Sequence, residues 1–253
     1  MYSLAQTPEV ELFAIVLVVL ASIYTSIRWQ PKKFYIIRHG RTLLNEAQIK
    51  QGPEGKLSPS GKKQAEQVGA YLLSHDIQRI LVSPYERAQE TAALISGVIR
   101  VPVTTTKLLR ERKNPSQVLG LSTHDPRVQE ATTLIDDSFH DDDYRYSDEE
   151  NFTELKKRAR VCLSLFERIT SERVCVVTHH AFLKMLLASM VYQEQLHAGE
   201  FAKLSFFNPS DNGGISVCVF HPYRKFIGRK DAWEVLSYNE QIPLTFSKES
   251  WTS

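Results

Sequence analysis

Histidine and arginine residues follow short apolar runs at several points of the chain. Arg38 and His39 come directly after a run of four apolar residues, and His179 follows a second run. Arg87 lies about one helical turn beyond the end of a third run. Binding sites in α/β proteins lie at the carboxyl ends of the sheet strands. The spacing therefore predicts that these four side chains meet at one edge of a sheet.

The residue types at this predicted edge suit phosphoryl transfer. Guanidinium groups present planar forks of donors that match phosphate oxygens. An imidazole can act as a nucleophile, a donor or a base near neutral pH. Singly, each residue also has a structural explanation, such as capping a backbone group or lying on a solvated helix face. Their coincidence favours a phosphoryl-transfer site that handles charge with side chains, so we expect no metal and no cofactor.

The order of apolar and polar segments predicts the elements that position this site. Strand-like and helix-like segments alternate, which favours a three-layer α/β/α fold with a mostly parallel central sheet. Ser58 followed by Pro59 predicts the start of the first helix of the sheet domain. The late runs 202–207, 214–221 and 232–238 are typical of strands. The stretch 113–147 is irregular and rich in acids, which indicates either a lid or a solvated loop.

Composition narrows the class of protein. The chain has 253 residues, 42% hydrophobic and 24% charged, which is ordinary for a globular protein. A net charge of +2 with no basic face argues against a nucleic-acid partner. Cys162, Cys175 and Cys218 are odd in number and widely spaced. We therefore expect buried core thiols rather than a disulfide framework or zinc ligands.

The N-terminal segment differs from the rest. Residues 12–27 form an uncharged run of 16 residues, which as a helix would span about 24 Å, slightly less than a bilayer core of roughly 30 Å. We expect an N-terminal tail and hydrophobic transmembrane helix within residues 1–30, with the span at about 12–28, followed by a domain at 31–253. Positive residues after the run would place that domain in the cytoplasm. The alternatives are a helix docked on a soluble cytoplasmic domain and an over-extended translation start.

Several motifs together resemble those of a known family. Arg38-His39-Gly40-Arg41-Thr42, with Asn45 shortly after, resembles the signature of the histidine phosphatase superfamily, the phosphoglycerate-mutase-like fold. Further segments resemble that family in order and spacing: 57–65, 83–91, Leu109-Arg110-Glu111, Val177-Thr178-His179 and 212–217. The resemblance covers about residues 33–238.

The resemblance implies a role for each matched residue. His39 would be the nucleophile that takes the phosphoryl group, and Glu111 the proton donor to the leaving oxygen. Residues that would bind the phosphate or support its pocket are Arg38, Asn45, Arg87 and His179. A carboxyl group can protonate a leaving alkoxide and then activate water for the second step. The substrate would be a small soluble phosphorylated molecule, with its specificity set by the insert 113–147 together with other residues.

Two positions depart from the family pattern. His180 stands where glycine often follows the second histidine, and it would narrow the pocket, add a donor or serve the start of a helix. Arg41 stands where an acidic residue is common, and it would add positive potential or simply be exposed.

Three functional hypotheses follow from these residues. A phosphatase is favoured over a mutase, because the family's mutases carry a Trp-Asn pair and a Gly-Leu-Asn-Lys segment where this chain has 43–45 and 112–115. A non-catalytic, membrane-tethered phosphate-binding module is the third hypothesis. Such a module would have lost its nucleophile or its acid, and both His39 and Glu111 are present.

Overall fold

Six strands in the described part of the chain form a single sheet. The computed structural model describes residues 8–138, 140–207 and 210–242. The strands are β1 Lys32–Arg38, β2 Arg79–Val82, β3 Val103–Thr105, β4 Arg173–Thr178, β5 Ile215–Phe220 and β6 Trp233–Glu240. Their order is β3-β2-β4-β1-β5-β6, with β1 to β4 parallel and with β5 antiparallel to both β1 and β6. The prediction of a mostly parallel sheet is confirmed.

Helices cover both faces of this sheet. They are α1 Pro8–Trp29, α2 Leu43–Glu46, α3 Pro59–Leu72, α4 Glu86–Ile99, α5 Pro126–Asp137, α6 Phe152–Arg168, α7 His180–Tyr192, α8 Ala198–Phe207 and α9 Pro222–Phe226. Alternate residues of a strand point to opposite faces. Phe34 and Ile36 accordingly pack in the core with α6 and α7, whereas Tyr35 and Ile37 pack with α3 and α4. The result is the predicted three-layer arrangement.

The register of the parallel strands places the carboxyl ends of β1, β2 and β4 at the same edge of the sheet. Arg38, the last residue of β1, lies opposite Thr178, the last residue of β4. Val82 at the end of β2 lies opposite Val177. The residues that follow β1, β2 and β4 therefore leave the sheet side by side. His39 is held there by its backbone N–H, which donates to the Thr178 carbonyl at 2.9 Å.

The first turn of α3 supports the loop that follows β1. Ser58 is the N-cap and accepts from the backbone N–H of Gly61 at 3.2 Å, as its spacing predicts. A Cβ on Gly61 would lie 1.9 Å from the carbonyl oxygen of Arg41, and one on Gly40 would lie 2.5 Å from the carbonyl oxygen of Gly61. The main chain at Gly61 therefore packs directly against the main chain at Gly40 and Arg41, and only glycine fits at positions 40 and 61.

Two expectations about secondary structure were wrong. The run 202–207 lies in α8 rather than in a strand. Asp142 accepts from the Ala198 N–H at 2.8 Å at the start of this helix, and Phe201 and Leu204, one helical turn apart, pack against the core. The insert 113–147 is not wholly irregular, because Asp125 caps the helix α5 through the Arg127 N–H at 2.9 Å. The expected buried thiols are confirmed for all three cysteines.

The N-terminal helix α1 contacts the domain through aromatic side chains at its end. Trp29 lies 4.8 Å from the ring of Phe226 and 5.9 Å from that of Tyr223, both in α9. The side chains between Val10 and Val19 are exposed. Within the described ranges, no helix is long and apolar enough to cross a membrane, so the expected span at 12–28 has no support. Residues 1–7 and 243–253 of the expected tail and domain lie outside these ranges.

The close approach at Gly61 predicts a large cost for a single added methyl group. Gly61→Ala should lower the free energy of unfolding by about 1–3 kcal/mol, because the backbone of Arg41 must move to admit the Cβ. Gly97→Ala is the matched control: this exposed glycine in α4 has nothing within 4 Å of its Cβ position. Alanine there should stabilise the protein by about 0.5–1 kcal/mol through helix propensity. Urea titration of both variants measures the difference, and equal effects would contradict the packing described.

Candidate active site

The imidazole of His39 is fixed in one tautomer by two contacts. Its Nδ1 lies 2.8 Å from the carbonyl oxygen of Gly40, and its Nε2 lies 3.2 Å from Nε of Arg87. An arginine side chain stays protonated and only donates, so Nε2 accepts from Arg87. Nδ1 therefore carries the proton and donates to Gly40. The lone pair of Nε2 is therefore directed at the guanidinium of Arg87.

The charge state of His39 follows from its surroundings. The side chain is 3% exposed. Burial, together with the positive charges of Arg87 and Arg38, holds its pKa well below 6.5. Each of these causes disfavours a second proton on the ring. His39 is thus neutral near pH 7, as a nitrogen nucleophile must be.

Arg87 stands at the start of α4 and is also buried. Its Nη1 donates to the carbonyl oxygen of Gly52 at 2.8 Å and to that of Glu54 at 3.4 Å. Its guanidinium carbon lies 5.1 Å from the centre of the Tyr85 ring. Burial lowers the pKa of Arg87, and the nearby carboxylate of Glu111 partly offsets that effect. The loop 52–54 and α4 thus hold this guanidinium against His39.

Arg38 and His179 each have a buried polar atom without a partner among the described residues. Arg38 donates from Nη1 to the Ser210 carbonyl, but its Nε is unpaired. His179 contacts the hydroxyl of Ser83 through Nε2 at 2.7 Å, but its Nδ1 is unpaired. The rings of His39 and His179 are 5.1 Å apart. Unpaired buried polar atoms are rare in native proteins, so these two are donors that a bound polar ligand could satisfy.

His179 is neutral for the same reasons as His39. Burial, and then the charges of Arg87, His39 and Arg38, hold its pKa well below 6.5. The Ser83 hydroxyl can donate to Nε2, and in that tautomer Nδ1 carries the single ring proton and is a donor. Ser83 was not expected among the site residues, although it follows an apolar run as the others do.

Glu111 reaches the site from a short segment beside α7. Its carboxylate accepts from the backbone N–H groups of Arg112 at 2.9 Å, Phe182 at 3.0 Å and Ala181 at 3.3 Å. The last two belong to the first turn of α7, where a helix favours negative charge. Glu111 also lines a cavity of about 770 Å³ together with Tyr85 and others. The carboxylate therefore acts on the charges of Arg38 and Arg87 and also borders a space large enough for a small molecule.

Asn45 lies in the short helix α2, which follows the loop after β1, and its side chain bonds backbone rather than the charged groups of the site. Its Oδ1 accepts from the backbone N–H of Thr42 at 3.1 Å, and the Thr42 hydroxyl accepts from the Asn45 N–H at 2.9 Å. Asn212, which sequence reasoning missed as a site residue, donates to the carbonyl of His39 at 2.9 Å. Thr91, also missed, accepts from the N–H of Gly40 at 3.0 Å. The last two contacts join the loop after β1 to α4 and to the segment that contains Asn212.

His180 and Arg41, the two residues that depart from the family pattern, have different surroundings. His180 begins α7, and its Nδ1 lies 3.3 Å from the Ser210 carbonyl that Arg38 also binds. Burial and the charges of Arg38 and Lys184 lower the pKa of His180 to about 4. Its neutral ring therefore donates from Nδ1 to the carbonyl oxygen of Ser210. The Arg41 side chain is exposed, and its carbonyl accepts from the Ser58 N–H at 2.9 Å.

Comparison with known proteins gives the class of this chain. A family model of the histidine phosphatase superfamily (branch 1) matches residues 34–231, so the chain belongs to that superfamily. It is 28% identical over 166 residues to a probable phosphoglycerate mutase of Erwinia tasmaniensis, covering 62% of this chain and 74% of that protein. It is 26% identical over 251 residues to a fructose-2,6-bisphosphatase of Danio rerio, covering 79% and 95% respectively.

Solved structures of similar proteins have the same fold. A mycobacterial glucosyl-3-phosphoglycerate phosphatase in complex with VO3 aligns with a TM-score of 0.67 at 19% identity, covering 83% of this chain and 100% of that one. A putative alpha-ribazole-5'-phosphate phosphatase of Escherichia coli aligns with a TM-score of 0.65 at 21% identity, covering 83% and 97%. The phosphoglycerate-mutase-like fold is thereby confirmed.

The environment of His39 predicts its behaviour in solution. At about pH 6, where a free histidine is mostly protonated, His39 should remain neutral with the proton on Nδ1. Nitrogen-15 NMR of histidine-labelled protein measures this, with the signal assigned by its loss in His39→Asn. Arg87→Met should raise the pKa of His39, because one of the charges that lowers it is gone. A His39 ring that is protonated at this pH in the unaltered protein would contradict the site described.

Proposed function

We propose that the protein hydrolyses small soluble phosphomonoesters through a phosphohistidine at Nε2 of His39. The observation that carries this proposal is the state of that ring: it is neutral, has its proton on Nδ1, and faces Arg87. The unpaired Nε of Arg38 and Nδ1 of His179 beside it supply donors for phosphate oxygens. We also propose that the catalytic domain comprises residues 31–253.

The first chemical step transfers the phosphoryl group to His39. When the phosphate enters, Arg87 donates to a phosphate oxygen instead of to Nε2, which frees the lone pair. Nε2 attacks phosphorus as the bond to the leaving oxygen breaks. Glu111 gains a proton from solvent when the negatively charged phosphate binds beside it, and it then protonates that oxygen, so the product leaves as a neutral alcohol. Arg38, Arg87 and His179 stabilise the charge on the oxygens that stay with phosphorus.

The second step returns the enzyme to its starting state. A water molecule from the cavity beside Glu111 attacks the phosphohistidine, and the Glu111 carboxylate takes its proton. The bond between Nε2 and phosphorus breaks, its electron pair returns to the ring, and inorganic phosphate leaves. Glu111 thus ends the cycle protonated, ready for the next substrate, and no atom from outside is needed except water.

The names of related proteins support a phosphate-ester substrate. One relative is named a broad-specificity phosphatase, from Saccharomyces cerevisiae, and is 37% identical over 86 residues, covering 32% of this chain and 37% of that one. Others are named as a phosphoglycerate mutase and a fructose-2,6-bisphosphatase. We favour phosphatase activity over mutase activity, because the residues at 43–45 and 112–115 differ from the pattern that resembles the mutases.

A phosphoenzyme on His39 is the direct consequence of this mechanism. Rapid quenching during turnover should trap a phosphate that is stable to base and labile to acid, and peptide mapping should place it on His39. His39→Ala should abolish turnover. Activity should persist with a chelator present, because side chains manage the charge. A phosphate trapped on another residue, or full activity in His39→Ala, would refute the proposal.

The role of Glu111 predicts an effect that depends on the leaving group. Glu111→Gln should slow phosphoenzyme formation by about 100- to 10,000-fold for an alkyl phosphate, whose leaving oxygen needs a proton. For p-nitrophenyl phosphate the loss should be much smaller, because its leaving group is stable as an anion. Single-turnover kinetics isolates this step.

A matched control for this experiment is Glu154→Gln. Glu154 lines the same cavity, is half exposed, and pairs with Arg145 rather than facing His39. Glutamine can take over its part in the capping box of α6. This variant should affect both substrates alike and only slightly.

Equal losses on the two esters in Glu111→Gln would make Glu111 a binding or structural residue.

A further inference from the structure

A buried ion pair lies behind the segment that carries Glu111. Arg158 of α6 donates from Nε to Oε1 of Glu150 at 2.7 Å and from Nη2 to Oε2 at 2.5 Å. Arg158 is 7% exposed and Glu150 is 6% exposed. This two-point geometry matches the guanidinium fork to the carboxylate and fixes the plane of the arginine.

The remaining donors of Arg158 all bind the main chain of the acid-bearing segment. Nη1 donates to the carbonyl oxygens of Leu108 and Arg110, each at 2.8 Å, and Nη2 lies 3.4 Å from the carbonyl oxygen of Glu111. Three carbonyl groups within four consecutive residues are thus bound by one side chain. A lysine could not reproduce this pattern, because its donors radiate from a single atom.

Glu150 holds the same segment through its own backbone. Its carbonyl oxygen accepts from Nε of Arg112 at 2.9 Å, and its N–H donates to the carbonyl of Lys113 at 3.1 Å. Residues 108–113 are therefore held along one side by Arg158 and at the far end by Glu150.

Arg158 also contacts the helix that binds the Glu111 carboxylate. Its guanidinium carbon lies 4.1 Å from the centre of the Phe182 ring. The backbone N–H of Phe182 donates to Oε1 of Glu111 at 3.0 Å. One side chain thus touches both supports of Glu111: the main chain that carries it and the turn of α7 that binds its carboxylate.

A buried ion pair is weak evidence for stability, because desolvation offsets the attraction and apolar replacements are often tolerated. The arrangement instead favours a geometric role. We propose that Arg158, oriented by Glu150, is a positioning residue that holds Glu111 in reach of the leaving oxygen. This inference rests on the proposed role of Glu111 as proton donor.

The test replaces Arg158 and Glu150 together, so that neither is left buried without its partner. Arg110, which also pairs with Glu150 at 3.4 Å, is 39% exposed and remains solvated. The double variant Arg158→Met with Glu150→Leu keeps the volume apolar and should remain folded, as judged by circular dichroism and thermal melting. Phosphoenzyme formation should then slow about 10- to 100-fold for an alkyl phosphate, because a small misplacement of a reacting group costs about that much. For p-nitrophenyl phosphate the rate should change by less than about threefold, because that ester needs little help from the acid.

Two further variants guard against misfolding and against a nonspecific effect. Arg158→Lys keeps the charge and its partner but loses the fork, and it should show the same selective loss on the alkyl ester. Arg160→Met is the matched control: Arg160 lies on the same helix and pairs with Glu194 at the exposed surface. This control should leave both rates unchanged.

Combination with Glu111→Gln separates the possible outcomes. If Arg158 acts through Glu111, adding Arg158→Lys to Glu111→Gln should cause little further loss on the alkyl ester. A selective loss in Glu111→Gln together with equal losses on both esters in the Arg158 variants would overturn this inference and leave the proposed function standing. Equal losses on both esters in Glu111→Gln itself would overturn the role of Glu111 and this inference with it.

Discussion

The guanidinium groups of Arg38 and Arg87 lie at the same end of the sheet, where both are largely shielded from water. Most features of the site follow from the need to accommodate these two positive charges. The charge of Arg38 lowers the pKa of Arg87, and that of Arg41 lowers the pKa of Arg38, in each case in addition to the larger effect of burial. Their hydrogen-bond acceptors among the described residues are neutral: the carbonyls of Ser210, Gly52 and Glu54 and the imidazole of His39. The carboxylate of Glu111 supplies the largest compensating negative charge for both. A bound phosphate would supply the rest, which is why an excess of buried positive charge suits this protein.

The same excess of charge prepares the two histidines for their proposed roles. A cation beside an imidazole disfavours a second ring proton, so His39 and His179 stay neutral without any base to deprotonate them. The hydrogen bond from Nδ1 of His39 to Gly40 places the ring proton on Nδ1, so Nε2 is the nitrogen that keeps its lone pair. That bond depends on the tight loop at Gly40, which in turn depends on Gly61 having no side chain. Nucleophile, loop and helix α3 are therefore parts of one arrangement.

The sequence indicates features that depend on local spacing and misses those that depend on distant contacts. Arg38, His39, Arg87 and His179 could be placed because each follows an apolar run, and the cap at Ser58 has a local signature. The run 202–207 looked like a strand, because short apolar runs do not distinguish strands from helices by periodicity alone. Arg158 binds carbonyls about 50 residues away in sequence, and no local pattern predicts such a contact.

A crystal structure of the protein with vanadate tests the central claim most directly, since vanadate adopts the geometry of a phosphoryl group in transfer. The vanadium should be bonded to Nε2 of His39, with Nε of Arg38, the Arg87 guanidinium and Nδ1 of His179 donating to its oxygens. The two polar atoms that are unpaired without a ligand would then both have partners. Vanadate bound at another residue, or Arg38 and His179 left without contact to it, would contradict this account.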